Sequence, residues 1–385
     1  MTLPSIDRDE LVALTVKLAR IDSTNTTLVP GAAGERAVGH FVADWMAAKG
    51  WDVTVEWPAP DRPNVIATIK GNGGQSLLIN AHLDTVGSKP ATKQVRVEGD
   101  RIYGRGVLDT KGGLAAALVA AEAVASLPPA GDIIIAAVCD EEAGSIGTDH
   151  LLTSTSAAAA VVIEPTDLQV VVAHPGFAVI ECVFHGRASH TSKPEDGINA
   201  ITPAVAFIQS VARYAEELAS WDDDALFGRP TAQITRIDGG TELFTTPDRC
   251  IVIVELRTLP HQTPATAIDR IEALADEARD QGHSVESRRV IVRDPMSNNA
   301  DQAITALLAD SLSEQGHPSP IVGARYWTDA ALVDAHDIPV AVFGPGGDGI
   351  HSDDEWISID DLVICSATLA KVMAEFGRNA APQRS

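Results

Sequence analysis

The sequence has few positive charges for its length. Its 385 residues include 29 lysines and arginines against 53 aspartates and glutamates, a formal net charge of −24. Nucleic-acid binding needs a basic surface that neutralises phosphates, so this composition argues against nucleic acid as a partner. An anionic small molecule would also be repelled by the overall charge, and it would need a local group of cations to bind.

The sequence also lacks paired cysteines and long apolar runs. The four cysteines are scattered through apolar stretches, at Cys139, Cys182, Cys250 and Cys365. This pattern predicts buried free thiols rather than a disulfide framework. No apolar run approaches the roughly 20 residues of a membrane-spanning helix, and the acidic start of the sequence has no apolar signal-peptide core. We therefore expect a cytoplasmic protein that does not bind membranes.

The rest of the sequence is typical of a globular α/β protein. A chain of 385 residues exceeds what one hydrophobic core usually serves, so we expect two domains. The spacing of apolar residues predicts helices at about 6–20 and 34–49. Short apolar strands follow, among them "SLLIN", "DIIIAAV" and "AAVVI". Strands that are apolar on both faces favour a central, largely parallel sheet flanked by helices.

The pattern changes after about residue 175. The stretches "FAVIECVFHG" and "CIVIVELRTL" mix polarity in the manner of antiparallel strands, with a long helical stretch between them and another after them. Beyond about residue 293, helix, strand and glycine-rich loop return. The predicted organisation is an α/β domain formed by residues 1–177 and 292–385, interrupted by an inserted α+β domain at 178–291.

Histidines and acids follow several of the predicted parallel strands. They are His82 and Asp84 after "SLLIN", Asp109 before a helix, Asp140, Glu141 and Glu142 after "DIIIAAV", Glu164 after "AAVVI", and His351 after "IPVAVF". The carboxyl ends of parallel strands share one edge of a sheet, where α/β proteins bind ligands. We therefore expect these side chains to meet at that edge.

This set of side chains predicts a metal site. Imidazole with carboxylate and without thiolate suits Zn²⁺, with Mn²⁺ and Co²⁺ as alternatives. The number of ligands exceeds one tetrahedral shell, which indicates two ions that share a carboxylate. Taken singly, an acid at a strand end is explained by solvation of the sheet edge, and His82 by a structural role. The joint pattern favours metal, because neighbouring carboxylates need a cation to relieve their repulsion.

The three consecutive acids at 140–142 raise a geometric question. Successive side chains of a strand point to opposite faces, so Glu141 and Glu142 enter one pocket only if the chain turns there. The following "AGS" supplies small residues for such a turn. We expect the turn, and we expect Asp140 to be a structural residue.

The order of the motifs resembles that of a known enzyme family. The motifs are "HLD", "GRGVLDTKGG", "DEEAGS", "EPT", "GRASHTSKPEDGINA" and "FGPGGDGIHSDDEW". Over most of the chain they resemble the zinc aminoacylases and exopeptidases of the M20 metallopeptidase family, which includes acetylornithine deacetylase, succinyl-diaminopimelate desuccinylase and carboxypeptidase G. The stretch "YWTDAALVDAHDIPVAVFGPG" looks more like the acetylornithine deacetylase branch.

The resemblance implies a role for each residue at the sheet edge. Asp109 would bridge two zinc ions. His82 and Glu164 would complete one ion, and Glu142 and His351 the other. The peptide bond after Asp109 is often cis in such enzymes.

Two further roles within this site follow from the same resemblance. Asp84 would orient the ligand His82, since a ligand histidine commonly donates its second N–H to a carboxylate. Glu141 would be the general acid and base of the reaction.

Residues of the inserted domain complete the implied site. His190 in "GRASHTS" resembles the family's lid histidine, which stabilises an oxyanion and often comes from the partner subunit of a homodimer. Arg257 in "VELRTLP" resembles a lid arginine that binds a substrate carboxylate. Without the resemblance, His190 is a polar loop residue and Arg257 a surface arginine. Phe244 departs from the family, because relatives often have a substrate-holding asparagine there.

The function implied is that of a di-zinc metallohydrolase that cleaves the amide bond of N-acyl amino acids and forms a homodimer through the inserted domain. One alternative is a metallo-exopeptidase that acts on di- or tripeptides. A second is a non-catalytic metal-binding protein on the same scaffold. Such a protein would be expected to have lost Glu141 or a metal ligand, and the sequence retains them all.

Overall fold

The computed structural model describes residues 5–88, 94–126, 129–224, 227–259, 264–297, 300–318 and 320–377. The helices in these ranges are α1 (Arg8–Arg20), α2 (Arg36–Ala48), α3 (Gly112–Ala125), α4 (Ile146–Leu151), α5 (Ile201–Ala219), α6 (Pro264–Asp280), α7 (Ala303–Glu314), α8 (Ala330–Asp334) and α9 (Ile359–Glu375). The strands are β1 (Asp52–Ala59), β2 (Arg62–Ile69), β3 (Gly74–His82), β4 (Arg96–Glu98), β5 (Arg101–Tyr103), β6 (Gly131–Val138), β7 (Ala159–Val162), β8 (Val170–His174), β9 (Gly176–His185), β10 (Thr231–Gly239), β11 (Arg249–Thr258), β12 (Ser284–Arg293), β13 (Met296–Ser297), β14 (Ile321–Gly323), β15 (Val340–Val342), β16 (Gly347–Asp348) and β17 (Trp356–Ser358).

The chain divides into two compact units. The first unit comprises Met1–Val172, Asn298–Val322 and Thr328–Ser385. The second comprises Ala173–Ser297 and Gly323–Trp327. The second unit is therefore an insertion that also takes in a short segment from later in the chain.

These limits lie a few residues outside the boundaries of 178 and 291 expected from the sequence. Strand pairing continues beyond both positions, with Phe177 opposite Arg293 and His174 opposite Met296. The change in polarity that marks the insertion in the sequence therefore lies inside the folded unit, a few residues from its ends.

The first unit is built around one sheet with the strand order β1-β2-β6-β3-β7-β15-β8. The central strands β6, β3, β7 and β15 are parallel neighbours. Strands β1, β2 and β8 extend the sheet in antiparallel fashion. With helices flanking this mostly parallel sheet, the predicted α/β class is confirmed.

Helix α3 lies at the centre of the first unit's core. It packs against α1, α9 and strands β3 and β6, and most of its residues are buried. A helix that is apolar on all sides needs such surroundings, and its alanines allow the neighbouring elements to approach closely. Helix α1 begins after Asp7, whose carboxylate accepts hydrogen bonds from the N–H groups of Asp9 and Glu10 at 2.9 and 3.0 Å.

The parallel strands bring the predicted residues to one edge of the sheet. His82 is the last residue of β3, and Glu164 follows β7. Glu141 and Glu142 follow β6, and His351 lies beyond β15. Since β6, β3, β7 and β15 are adjacent and parallel, their carboxyl ends form a common edge.

The second unit has its own sheet and core. Its strand order is β10-β11-β9-β12, with every pair antiparallel. Helices α5 and α6 pack against this sheet, and together they bury a separate set of apolar residues that includes Phe184, Phe207 and Ile271.

Two predictions from composition concern the cysteines and the possibility of a membrane-spanning helix. All four cysteines are buried and free, as expected. Among the residues described, none of the helices combines the length and apolar character needed to cross a membrane.

Candidate active site

One group of candidate metal ligands consists of His82, Asp109 and Glu164. The Nε2 atom of His82 is 2.9 Å from Oδ1 of Asp109 and 3.9 Å from Oε1 of Glu164. The Nδ1 atom of His82 lies 2.9 Å from the main-chain oxygen of Asp84. If Nδ1 donates its proton there, the lone pair of Nε2 faces the two carboxylates and can bind a cation.

A second group consists of Asp109, Glu142 and His351. The Nε2 atom of His351 is 3.1 Å from Oδ2 of Asp109 and 3.0 Å from Oε2 of Glu142. In each group, one donor atom from every residue lies within 4.8 Å of the others. Asp109 therefore directs one oxygen to each group, which is the arrangement of a bridging carboxylate.

A small sheet brings Asp109 and His351 together. Its strand order is β16-β17-β5-β4. His351 lies in the loop between β16 and β17, and Asp109 lies shortly after β5, which pairs with β17. The peptide bond between Asp109 and Thr110 is cis, as the family resemblance implied.

The donor atoms fit a divalent metal ion. Two ligands bound to tetrahedral zinc at roughly 2.0–2.1 Å lie roughly 3.3 Å apart. The observed separations of 2.9, 3.0, 3.1 and 3.9 Å bracket that value. Nitrogen and carboxylate oxygen donors are those that Zn²⁺, Co²⁺ and Mn²⁺ accept.

The cluster contains more negative charge than the surrounding protein compensates. Within the described ranges, no lysine or arginine forms an ion pair with Asp109, Glu141, Glu142 or Glu164. Burial raises the pKa of the Glu141 carboxyl well above its ordinary value, and the charge of Glu164 raises it further. Hydrogen bonds to Asp109 and Glu142 raise the pKa of His351 to about 10. Both shifts indicate a site that takes up positive charge.

The chain turns sharply at Asp140, as the sequence predicted. Asp140 has a φ of 71°, and its main-chain oxygen accepts hydrogen bonds from the N–H groups of Gly144 and Ser145 at 3.0 and 2.6 Å. A positive φ is uncommon for a residue other than glycine, so this conformation is held by its surroundings. Because of this turn, the side chains of Asp140, Glu141 and Glu142 point in different directions.

Asp84 holds this turn in place. Its carboxylate accepts hydrogen bonds from the N–H groups of Glu141 and Glu142, each at 3.1 Å. The carboxylate lies 3.7 Å from Nδ1 of His82, while the main-chain oxygen of Asp84 is the closer partner of that atom. Asp84 therefore contacts His82 mainly through its backbone, and its side chain positions the two glutamates.

Asp140 belongs to a different set of contacts. Its Oδ1 atom is 2.7 Å from Nη1 of Arg62 and accepts a hydrogen bond from Asn25 at 2.9 Å. Arg62 also forms an ion pair with Glu35, and all of these side chains are buried. The negative charge of Asp140 is thus compensated within the protein.

Glu355 is a buried residue of the site that the sequence analysis did not identify. Its carboxylate accepts hydrogen bonds from Nη1 of Arg105 at 2.6 Å and from the N–H groups of Gly106, Leu108 and Asp109 at 3.0, 2.9 and 3.2 Å. These contacts fix the segment that carries Asp109. The only sequence signal was an acid four positions after His351.

Asp329 was also missed. It is buried, and its Oδ2 atom accepts a hydrogen bond from the Thr148 hydroxyl at 2.5 Å. Burial raises the pKa of Asp329 to about 6. Its charge in turn contributes to the raised pKa of Glu141 and of Glu164. Asp329 does not follow a strand in the sequence but directly precedes helix α8, so the pattern of acids at strand ends does not identify it.

The remaining predicted site residues lie in the second unit. His190 has its Nδ1 atom 2.8 Å from the hydroxyl of Ser192. The next residue, Thr191, donates its N–H to the main-chain oxygen of Phe244 at 3.1 Å, so the two segments run side by side. Arg257 lies on β11, where its Nε atom is 2.5 Å from Glu255. The catalytic roles of His190 and Arg257 stay predictions.

The chain resembles known proteins in sequence and in fold. The sequence profile of Peptidase family M20/M25/M40 matches residues 78–375. An acetylornithine deacetylase of Myxococcus xanthus is 30% identical over 329 residues, which cover 82% of this chain and 84% of that protein. A tripeptidase of Staphylococcus aureus has a similar structure, with a TM-score of 0.80, 22% identity and coverage of 96% of this chain and 99% of the other. A dinuclear metal-binding peptidase of Bacillus subtilis gives a TM-score of 0.71 at 16% identity, with coverage of 95% and 97%.

The profile match extends over most of the chain and includes all five candidate ligands. The similarity to the Myxococcus enzyme likewise covers most of both proteins. The relationship predicted from the order of the motifs is therefore confirmed. This chain belongs to Peptidase family M20/M25/M40 and is a metal-dependent hydrolase of carbon–nitrogen amide bonds.

Proposed function

We propose that the chain is a two-metal hydrolase that removes the acyl group from N-acyl amino acids. The observation that carries this proposal is the pair of ligand groups that share Asp109. His82 and Glu164 would complete the first metal site, and Glu142 and His351 the second. Zinc is the proposed metal, with Co²⁺ and Mn²⁺ as substitutes that the same donors accept.

A metal ion held by these residues would supply Lewis acidity for the scissile carbonyl and would make water a stronger acid. The protein's contribution is proton transfer by Glu141, which belongs to neither ligand group. Glu141 accepts a proton from the attacking water as the C–O bond forms. It then donates that proton to the amine nitrogen as the C–N bond breaks.

The position of Glu141 is set by the backbone. Its N–H donates to Oδ1 of Asp84 at 3.1 Å, and it follows the turn at Asp140. A general base needs a fixed orientation towards the proton it abstracts. The contact with Asp84 therefore supports a catalytic role for Glu141 and a positioning role for Asp84.

Similarity to acetylornithine deacetylase supports an N-acyl amino acid as the substrate. The similar structure of a tripeptidase supports the alternative, an exopeptidase acting on di- or tripeptides. Both reactions hydrolyse an amide bond, so the same metal site serves either one. The difference must come from residues that contact the rest of the substrate.

The roles proposed for the second unit extend this function. His190 would stabilise the oxyanion that forms at the carbonyl, and the unit would form the contact between two subunits of a homodimer. Replacement of His190 by alanine should then lower the rate without lowering metal content. Loss of metal in that variant would contradict its assignment as a lid residue.

A hydrolysis screen tests the function directly. The metal-free protein is supplied with zinc or cobalt and offered N-acetyl amino acids, N-succinyl amino acids, dipeptides and tripeptides. We expect the highest kcat/KM for an N-acyl amino acid. Preference for a peptide would establish the exopeptidase alternative, and bound metal without hydrolysis of any compound would contradict both.

A further inference from the structure

The first unit contains a small cavity next to the segment that carries Asp109. Its volume is about 70 Å³, which is room for roughly two water-sized groups. Substrate pockets are larger, on the order of 300–1,000 Å³, so this cavity fits an ion rather than a substrate. Its wall includes the cations Arg20, Arg105 and Lys111, the hydroxyl residues Thr85 and Ser88, and the acid Asp22.

Lys111 is a buried cation without an anionic partner. The residue is 1% exposed, and its Nζ atom donates a hydrogen bond to the main-chain oxygen of Ile21 at 2.7 Å. An ammonium has three N–H donors, and in the described ranges Lys111 has neither a second acceptor nor an ion pair with a carboxylate. A buried charge is costly unless it is paired. The cavity therefore contains a positive charge that the described residues do not match.

Arg105 provides a second donor that lacks an acceptor. Its Nη1 atom is 2.6 Å from Oε2 of Glu355, and its Nη2 atom donates to the main-chain oxygen of Ser352 at 2.9 Å. The buried Nε atom of the same guanidinium has no hydrogen-bond partner among the described residues. Buried N–H groups are normally satisfied, so this donor indicates a bound group that the protein itself does not supply.

Asp22, the acid of the described wall, does not provide the missing charge. Its Oδ1 atom accepts hydrogen bonds from the N–H and the hydroxyl of Thr24 at 3.1 and 2.7 Å. It forms an ion pair with neither Lys111 nor Arg105. The charge of Arg105 is matched by Glu355, and the charge of Lys111 is the one left without a contact partner.

The side chain of Lys111 is held at the cavity by close packing. The N–H of Lys111 donates to the main-chain oxygen of Gly106 at 2.9 Å. A Cβ atom added to Gly106 would lie 3.3 Å from Cδ of Lys111 and 2.6 Å from Cγ2 of Thr85. Gly106 also has a φ of 77°, a conformation that glycine adopts readily. The absence of a side chain at Gly106 thus allows the stem of Lys111 and Thr85 to pack against the loop.

We propose that this cavity binds a small monovalent anion such as chloride, with Lys111 as its principal cation. One unmatched ammonium corresponds to one negative charge, and chloride accepts hydrogen bonds from N–H and O–H donors alike. The overall charge of −24 disfavours anions, so such a site requires the local cations found here. The proposal concerns the first unit alone and does not depend on the reaction proposed above.

The bound anion would connect two segments that position the metal site. One is the loop from Arg105 to Lys111, which carries Asp109. The other contains Ile21 and leads to Asn25, whose amide donates to Oδ2 of Asp84 at 2.7 Å. Because Lys111 already contacts the main chain of Ile21, an anion on the same ammonium would strengthen an existing link between the two segments.

Crystals of the metal-loaded, full-length protein grown with sodium bromide test the site directly, because bromide scatters anomalously. We expect an anomalous peak within hydrogen-bond distance of Nζ of Lys111. Lys111→Met keeps a similar length of side chain without the charge, and it should lose that peak. Water in place of bromide in the wild-type cavity, or an unchanged peak in Lys111→Met, would overturn the proposal. Bromide on the metal is distinguished by the residues that surround it.

Thermal unfolding in chloride and in gluconate of equal ionic strength tests the site in solution. Gluconate is too large for the cavity, so chloride should raise the melting temperature of the wild type by about 2 °C more than it raises that of Lys111→Met. General salt effects and binding to the metal are common to both proteins. Lys17→Met, at an exposed position of helix α1, is the matched control and should respond as the wild type does.

Thr85→Val is a second variant that keeps the shape of the wall and removes one hydroxyl. It should show a smaller response to chloride than the wild type, and it keeps the test decisive if Lys111→Met does not fold. Equal salt responses in the wild type and the variants would contradict the site. A wild-type response that does not saturate with chloride concentration would also contradict it, since that result indicates an adventitious ion only.

Discussion

Two kinds of buried carboxylate occur side by side in the first unit. Asp140 is compensated by Arg62, which also pairs with Glu35. Glu141 and Glu142 are the next two residues in the chain, yet the described residues offer them no lysine or arginine as an ion-pair partner. Three consecutive acids thus divide into one that an arginine neutralises and two that pair with no lysine or arginine among the described residues.

The difference between arginine-paired and unpaired carboxylates indicates where the protein binds an external cation. Burial of an uncompensated charge is costly, so natural proteins pair such charges or bind metals with them. The arginine-paired carboxylates, Glu35, Asp140 and Glu355, shape the loops around the site. Asp109, Glu141, Glu142 and Glu164 contact histidines or no cation at all, and we call them the unpaired cluster because none of them pairs with a lysine or arginine among the described residues. The metal chemistry depends on this set. Substitutions in one set should therefore show whether it acts independently of the other.

The largest expected effect is on the unpaired cluster itself. Glu141→Gln removes the proton-transfer group and keeps its size. We expect the rate of hydrolysis to fall by about 10²- to 10⁴-fold, the range that general acid–base catalysis contributes. Metal content should stay near the wild-type level, because Glu141 is outside both ligand groups.

Steady-state kinetics and metal analysis of the same preparation check this prediction. Glu142→Gln is the control in the neighbouring position, and it should lose both activity and metal. A Glu141→Gln enzyme that kept most of its rate would refute the proton-transfer role. One that lost metal would instead place Glu141 among the ligands.

The second prediction concerns the arginine-paired set. Arg62→Gln leaves Glu35 and Asp140 buried without their cation, which should lower the free energy of unfolding by about 3–5 kcal/mol. Arg36→Gln is a matched control, because Arg36 pairs with Asp61 at an exposed site, and it should change stability by less than about 1 kcal/mol. Denaturant unfolding of both variants measures the difference. Equal effects would mean that burial does not distinguish the two pairs.

Much of this division could be predicted from the sequence. Apolar strands followed by His82, Glu142 and Glu164 predicted a parallel sheet with ligands at one edge, because strand direction fixes where the chain emerges. The turn at Asp140 followed from the alternation of side chains along a strand. These inferences rest on local periodicity, which short segments of sequence retain.

The partners of the paired carboxylates could not be predicted in this way. Arg62 and Asp140 are 78 positions apart, and Arg105 and Glu355 are separated by 250. Such contacts depend on how distant elements pack, and no spacing rule in a single sequence encodes them. The limits of the second unit were displaced for a similar reason, since strand pairing at His174 and Met296 is a long-range contact.

The third prediction tests whether the unpaired cluster needs its cation for stability. Removal of metal by a chelator should lower the melting temperature by on the order of 5 °C, because a ligand that binds only the folded state stabilises it by mass action. Re-addition of zinc should restore the original value. The chelator should have little effect on Glu142→Gln, which lacks one ligand. An unchanged melting curve after verified metal loss would contradict the electrostatic argument.

The smallest expected effect concerns Glu355, which connects the two sets because it pairs with Arg105 and also accepts a hydrogen bond from the N–H of Asp109. Glu355→Gln keeps the side-chain volume but loses the ion pair with Arg105. Its amide group would face the N–H groups of Leu108 and Asp109, which now donate hydrogen bonds to the carboxylate. The segment carrying Asp109 should then be less well positioned, and we expect metal affinity to fall about 10- to 100-fold, as for other residues that orient metal ligands.

Asp354→Asn, in the exposed part of the same loop, is the control and should bind metal normally. Competition with a metal-binding dye measures both affinities, and excess zinc should restore the activity of Glu355→Gln if its role is to position Asp109. Activity that stays low at saturating zinc would instead mean that Glu355 supports catalysis by another route.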